Sequence, residues 1–169
     1  EGARVLILKL AWNKTVTRHI RRRVEGFMDY SLRHDMKNIR IDSAEIDLAE
    51  TGEPALELER LFTEGPEIRG VFVPNSRVHK VAARLEKLGR KATFLMGYDL
   101  MDENIRYLRN GTIDMLICQK PEEQGYRSVM ALYNHLLTRL PVADIQPSPI
   151  DIIIKENLDS YIHSNYTTL

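Results

Sequence analysis

Apolar residues occur along this chain in two patterns, unbroken runs and a spacing of three to four positions. Residues 5–11, VLILKLA, form a nearly unbroken apolar run, which is typical of a parallel strand buried on both faces. Residues 17–33 follow, and their apolar members predict an amphipathic helix because they fall on one side of it. Those members are Ile20, Val24, Phe27, Met28 and Leu32.

The two patterns continue to alternate through the rest of the chain. Further strands are predicted at residues 39–46, 71–73, 92–96, 115–117 and 150–154, and further helices at 54–62, 78–88, 103–109 and 122–140. Strands that alternate with helices over short loops predict an α/β fold with right-handed crossovers. We expect one domain over residues 1–169, a three-layer, Rossmann-like open parallel sheet flanked by helices.

Composition narrows the class of protein. A chain of 169 residues with 43% apolar content can bury one core. Its 24 basic and 24 acidic residues give no net charge, which argues against a nucleic-acid-binding surface within these residues. The single cysteine, Cys118, excludes a disulfide framework. No apolar run is long enough for a membrane span, so no membrane partner is predicted.

The common catalytic and cofactor motifs are missing from the sequence. It contains neither GxGxxG nor GxxxxGK[ST] nor GxSxG, which argues against a dinucleotide, P-loop or serine-hydrolase site. The five histidines are scattered without ligand spacing, so no metal and no cofactor are predicted. We therefore expect a protein that is not an enzyme. The alternative, an enzyme acting on sugars, needs an acid/base pair near Asp99, for which Asp47 and Glu50 are the candidates.

Polar side chains end the predicted strands. The carboxyl ends of parallel strands share one edge of a sheet, so Asn75, Asp99 and Gln119 are expected to lie there with an arginine from the helix after the first strand. These planar groups donate and accept hydrogen bonds in pairs, which suits the adjacent hydroxyls of a sugar. Asn75 and Asp99 equally suit helix caps or turns, and that alternative stays open.

Four short motifs, in this order, resemble a known family. They are R-x-x-G-F at residues 23–27, V-x-N at 73–75, G-Y-D at 97–99 and Q-x-P-x-x-x-G at 119–125. Together they look like one lobe of the type I periplasmic-binding-protein fold, as in the effector-binding domain of LacI/GalR-type transcription regulators and in periplasmic sugar-binding proteins. The resemblance makes Arg23, Asn75, Asp99 and Gln119 ligand-binding residues. The resemblance also implies an aromatic ring after the second strand that stacks on the sugar. This sequence lacks such a ring there, and Trp12, after the first strand, would substitute for it.

The resemblance further implies a place within a longer protein. Residues 1–169 would be the second, C-terminal lobe, the helix at 120–140 would pack on a first lobe, and residues 149–157 would form the closing strand. The parent would be a cytoplasmic homodimer that binds operator DNA through an N-terminal helix-turn-helix domain and a carbohydrate-like effector in the cleft. A lobe of a periplasmic sugar receptor is the alternative. The chain starts without methionine, which fits a fragment.

The last predicted helix carries a large apolar stripe. It consists of Tyr126, Val129, Met130, Leu132, Tyr133, Leu136 and Leu137. Exposed patches of this size usually have a partner. Without a first lobe, the helix is expected either to fold back onto the sheet or to mediate a dimer, and we favour the dimer.

Overall fold

The computed structural model describes residues 3–11, 17–36, 38–48, 53–64, 67–90, 92–139 and 141–166. Its strands are β1 (Ala3–Ala11), β2 (Ile39–Asp47), β3 (Ile68–Phe72), β4 (Phe94–Tyr98), β5 (Met115–Cys118) and β6 (Asp151–Ile153). Its helices are α1 (Arg18–Arg33), α2 (Glu53–Thr63), α3 (Val78–Lys87), α4 (Asp102–Arg109), α5 (Pro121–Thr138) and α6 (Lys155–Tyr166). Strands and helices alternate along the described chain, as predicted.

The described strands form one sheet with the order β2-β1-β3-β4-β5-β6. The first five run parallel, and β6 is antiparallel to β5, with Asp151 opposite Cys118. The order places β1 inside the sheet, which accounts for its unbroken apolar run, whereas β2 lies at the edge and alternates with polar residues. The predicted α/β fold, with a mostly parallel sheet flanked by helices, is confirmed.

One face of the sheet supports the larger part of the core. Leu6, Leu8 and Leu10 of β1 are buried there, beneath helices α2, α3, α4 and α6, which lie side by side. Gly97 lets α3 approach β4 closely, because a Cβ atom at this position would lie 2.5 Å from the Cβ of Val78. This close approach brings the N-terminus of α3 to the carboxyl end of β4.

Helix α1 covers the opposite face on the side of β1 and β3. Its Phe27 stacks on Phe72 of β3, with ring centroids 4.9 Å apart, and its Ile20 is buried. Farther along this face, alternate residues of β4, β5 and β6 are covered only in part by the rest of the described chain. They are Phe94, Met96, Tyr98, Met115, Ile117 and Ile152. This half of the face therefore leaves apolar surface accessible.

The C-terminal tail differs from its predicted form. Residues 149–157, expected as one strand, contain the short strand β6 and the start of α6 at Lys155. Asn157 makes the turn between them, because its Oδ1 accepts a hydrogen bond from the Ile154 N–H (2.8 Å) and its Nδ2 donates one to the Ile152 carbonyl (3.0 Å). Sequence reasoning missed α6, although Leu158, Tyr161 and Ile162 have helical spacing and pack into the core.

Helix α5 leaves its apolar stripe exposed. None of its residues is buried, and six of the stripe positions are between 54% and 70% exposed. The structure therefore does not show α5 folded back onto the sheet. The helix ends at Thr138, and residue 140, its predicted end, lies outside the described residues. Within the described ranges no helix combines the length and the apolar content needed to cross a bilayer.

Candidate ligand-binding site at the strand ends

Arg23 of α1 reaches the carboxyl ends of two strands. Its Nη1 donates a hydrogen bond to the Pro74 carbonyl after β3 (2.9 Å), and its Nη2 donates one to Gln119 Oε1 after β5 (2.7 Å). The amphipathic pattern of α1 explains this placement, because Arg23 and Phe27 lie one turn apart on the side that faces the sheet. Arg23 is half-buried and makes no ion pair with any carboxylate in the described part of the chain.

Gln119 joins Arg23 to Asp99. Its Nε2 donates a hydrogen bond to Asp99 Oδ1 (2.9 Å), while its Oε1 accepts from Arg23, so the orientation of the amide is determined by both partners. Asp99 Oδ2 has no hydrogen-bond partner among the residues described, and three of the five guanidinium N–H groups of Arg23 are likewise unused there. The Arg23–Gln119–Asp99 network thus offers several donors beside one carboxylate oxygen.

Asp99 is held by its backbone as well as its side chain. Its φ of 68° lies in the left-handed region, which aspartate adopts more readily than most residues. The Asp99 N–H donates to the Ile117 carbonyl (3.0 Å), and its own carbonyl accepts from Asn104 Nδ2 (2.9 Å). The carboxylate therefore projects from a residue whose backbone N–H and carbonyl are both hydrogen-bonded.

Asn104 is a supporting residue that sequence reasoning missed. It lies in α4 and is 0% exposed. Its Nδ2 donates to the carbonyls of Ser76, Tyr98 and Asp99, and its Oδ1 accepts from the N–H of His79 (3.1 Å). The Asn104 amide, which lies in α4, thus links the turn after β3 to the turn after β4. The sequence did give one indication of this role: Asn104 is polar but lies on the same side of the helix as the buried Tyr107 and Leu108.

Asn75 lies beside the network, but its amide is used within the protein. The side chain is 6% exposed, its Nδ2 donates to the Leu10 carbonyl (2.6 Å), and its Oδ1 accepts from the Arg77 N–H (3.1 Å). These bonds tie the end of β1 to the turn after β3, which corresponds to the turn-residue alternative left open by the sequence. Ligand contact by Asn75 stays a prediction. Trp12, the remaining candidate, lies outside the described residues.

Tyr98 was not singled out by sequence reasoning, although it is the middle residue of G-Y-D. Arg23 lies over its ring, with the guanidinium carbon 3.8 Å from the ring centroid, and Phe72 lies beside it with centroids 6.2 Å apart. Burial raises the pKa of the Tyr98 phenol and the Asp99 charge adds to this, whereas the Arg23 charge lowers it. Tyr98 is therefore a neutral aromatic surface under the guanidinium at ordinary pH.

The connections to α5 adjoin the site. Lys120 follows Gln119 with a left-handed backbone (φ 52°), and its Nζ lies 2.9 Å from a carboxylate oxygen of Asp151, the first residue of β6. The hydrogen bond to Asp151 raises the pKa of the Lys120 ammonium, and the same bond lowers the pKa of the Asp151 carboxyl. The Lys120–Asp151 pair thus joins the segment that enters α5 to the segment that returns from it.

The side chains brought together at this edge of the sheet are suited to paired hydrogen bonds. A guanidinium, an amide and a carboxylate at one edge of the sheet can donate to and accept from vicinal hydroxyls. Asp47, a candidate for an acid/base pair with Asp99, ends the edge strand β2, three positions from β4 in the sheet, and Glu50 lies outside the described residues. Among the described side chains, no group of three or more His, Cys, Asp or Glu could hold a metal ion.

The described chain is an α/β domain with candidate ligand-binding residues at one edge of a mostly parallel sheet. A family model described as a periplasmic binding protein domain matches residues 3–139, well over half of the chain. The chain therefore belongs to the periplasmic binding protein domain family. A search of curated proteins found no significant match.

Solved structures of known proteins share this fold. A putative LacI transcriptional regulator from Bacteroides fragilis is 29% identical, with a TM-score of 0.87, over 95% of this chain and 55% of that one. GanP, a glucose-galactose binding protein from Geobacillus stearothermophilus, is 26% identical, with a TM-score of 0.77, over 93% of this chain and 55% of that one. A carbohydrate transporter solute binding protein from Agrobacterium radiobacter, in complex with D-arabinose, is 20% identical with a TM-score of 0.79, over 96% and 55%, and shows the fold alone. The chain spans about half the length of these proteins.

Proposed function

We propose that the chain is the effector-sensing lobe of a bacterial transcription regulator of the LacI/GalR type. Its effector is a sugar or sugar-like molecule, which Arg23, Asp99 and Gln119 bind from one side of a cleft. The hydrogen-bonded Arg23–Gln119–Asp99 network carries the proposal, because it sets unused donors and one carboxylate oxygen side by side. The similarity to a protein described as a putative LacI regulator supports the choice of this class.

The remainder of the proposed parent protein supplies what this lobe does not. A first lobe closes the cleft from the other side, and an N-terminal helix-turn-helix domain binds operator DNA in the cytoplasm. The exposed apolar stripe of α5 supports packing on that first lobe, because folded proteins seldom leave an apolar patch of this size in contact with water. We also propose a homodimer, and light scattering on the full-length protein tests it: a mass of one chain at all concentrations contradicts it.

A lobe of a periplasmic sugar receptor is the second candidate. It is favoured by the likeness to a protein whose printed name is a glucose-galactose binding protein. The two functions share the sugar site and differ in the rest of the protein.

Two measurements on the full-length protein test the proposal. Calorimetry against a panel of pentoses, hexoses and their derivatives should find a sugar that binds with micromolar Kd, and no binding across the panel would contradict a sugar effector. Gel-shift titration with DNA from upstream of its own gene should then show binding that the sugar changes. Sugar binding without any DNA binding, in a protein recovered from the periplasm, would favour the receptor.

A further inference from the structure

The contact between α1 and the sheet contains a repeated feature. Arg23 and Phe27, one helical turn apart, each lie over an aromatic ring of a neighbouring strand: Arg23 over Tyr98 of β4, and Phe27 over Phe72 of β3. Phe72 and Tyr98 are themselves in contact. The two rings thus form a continuous aromatic surface, which ends beneath the guanidinium of Arg23.

The contacts of Arg23 are of two kinds, hydrogen bonds at the edge of the guanidinium and a ring against its face. Its two hydrogen bonds, to the Pro74 carbonyl and to Gln119, hold two of the guanidinium nitrogens at the edge of the group. These bonds constrain the group within its own plane, and no carboxylate among the described residues pairs with it. The Tyr98 ring, 3.8 Å beneath the guanidinium carbon, adds a contact on the face of the group and attracts the cation through its π-electrons.

We propose that Tyr98 is a positioning residue for the ligand site: its ring sets the plane of the Arg23 guanidinium, and so the direction of the N–H groups that bind sugar hydroxyls. The ligand part of this inference rests on the function proposed above. The aromatic ring orients the guanidinium, and the phenol oxygen has no part in this, because the Tyr98 hydroxyl makes no hydrogen bond in the described structure. Tyr98 thereby supplies an aromatic contribution to the site through Arg23 instead of by stacking on the sugar.

A double-mutant cycle on the full-length protein tests the ligand part. Calorimetry compares the wild type, Tyr98→Leu, Arg23→Met and the double variant with the sugar that binds the wild type. Tyr98→Leu should weaken binding about fivefold to tenfold, and should have no further effect once Arg23→Met is present. Tyr98→Phe keeps the ring and should restore affinity to within about twofold of the wild type. Phe94→Leu, on the same face of the same strand but away from Arg23, is the matched control and should leave affinity unchanged.

Two results of the cycle would overturn the inference. One is an equal effect of Tyr98→Leu with and without Arg23, which would show that the ring acts independently of the guanidinium. The other is a loss in Tyr98→Phe as large as in Tyr98→Leu, which would assign the effect to the hydroxyl.

A spectroscopic measurement tests positioning without a ligand. In protein labelled with ¹⁵N-arginine, the ring current of residue 98 should shift the Arg23 Nε–H resonance in the wild type and in Tyr98→Phe, and the shift should be absent in Tyr98→Leu. An Arg23 resonance that does not respond to Tyr98→Leu would overturn the inference. If the wild type binds no sugar, the function proposed above fails, and this resonance alone decides whether Tyr98 positions Arg23.

Discussion

At the scale of single residues, Asp99 is where ligand affinity should be most sensitive. Asp99→Asn keeps the size of the side chain and the left-handed backbone, which asparagine tolerates, but removes the charge beside Gln119. In the full-length protein it should weaken binding of the sugar by about 1.5–3 kcal/mol, the scale of a charge-assisted hydrogen bond. Calorimetry measures this, with Asp102→Asn in the exposed first turn of α4 as control. Equal affinities of Asp99→Asn and the wild type would remove Asp99 from the site.

The buried amide of Asn104 should matter for stability. Asn104→Ala leaves the N–H of His79 and the carbonyls of Ser76 and Asp99 without their buried partner. We expect the free energy of unfolding to fall by about 2–3 kcal/mol, because each unsatisfied buried group costs about 1–3 kcal/mol and part of that cost is relieved by relaxation. Urea denaturation measures it. Asn134→Ala, at an exposed position of α5, is the control. A loss below about 0.5 kcal/mol would show that Asn104 is not needed at this position.

At the scale of elements, substitutions in α5 should change the stability of this chain far less than substitutions in β4. Leu132 of α5 is 59% exposed, so Leu132→Glu should change the unfolding free energy of this chain by less than about 0.5 kcal/mol. Leu95 of β4 is fully buried, so Leu95→Ala should cost about 2–5 kcal/mol. If α5 packs on a first lobe, Leu132→Glu becomes destabilising in the full-length protein. Urea denaturation of both proteins provides the comparison, and an unchanged full-length protein would argue against that packing.

The Lys120–Asp151 pair between the two connections to α5 predicts a pH dependence of stability. The pKa of Asp151 is lowered in the folded state, so its contribution is present above the unfolded pKa near 4 and is lost as pH falls through the folded value. The pKa of Lys120 is raised, so its contribution persists at pH 7 and is lost only in strong alkali. Asp151→Asn should therefore cost about 0.5–1 kcal/mol at pH 7, a difference that shrinks as pH falls below the unfolded pKa near 4.

Urea denaturation across pH 2.5–8 checks this dependence. Asp159→Asn is the matched control, because Asp159 also pairs with a cation, Arg109, but its side chain is 77% exposed and its contribution should be smaller. A cost of Asp151→Asn that stays constant over the whole pH range would contradict a contribution from its charge.

At the scale of the whole molecule, the proposed function makes this chain one wall of a two-lobed cleft. The residues of the network lie at the edge of the sheet and are half-buried, so a sugar bound there would keep its other side in water. Sites for small molecules generally bury most of the ligand. Calorimetry with this chain alone should therefore give millimolar affinity or none, for a sugar that binds the full-length protein at micromolar concentration. Equal affinity of the two proteins would contradict the two-lobed cleft.

The sequence by itself determined the order of the helices and strands and the edge of the sheet that carries the candidate site. The unbroken apolar run of β1 and the helical spacing in α1 depend on local periodicity, and local periodicity is written in the sequence. Parallel topology then places the residues after β3, β4 and β5 along one edge, so Asp99 and Gln119 could be named in advance, whereas the choice of Arg23 among the arginines of α1 came from the resemblance to a known family. The strand at β6 was predicted, but its antiparallel direction was missed because a short apolar run does not reveal its partner, and helix α6 was missed as well.

Tertiary structure alone decided what each polar group does. Asn75 and Gln119 are both strand-end amides, yet the first is consumed by the Leu10 carbonyl and the Arg77 N–H, while the second joins Arg23 to Asp99. Likewise the ring of Tyr98 lies beneath Arg23, although 75 positions separate them in the chain. Hydrogen bonds and ring contacts depend on distances of a few ångströms between remote segments, and those distances are set only when the helices pack on the sheet.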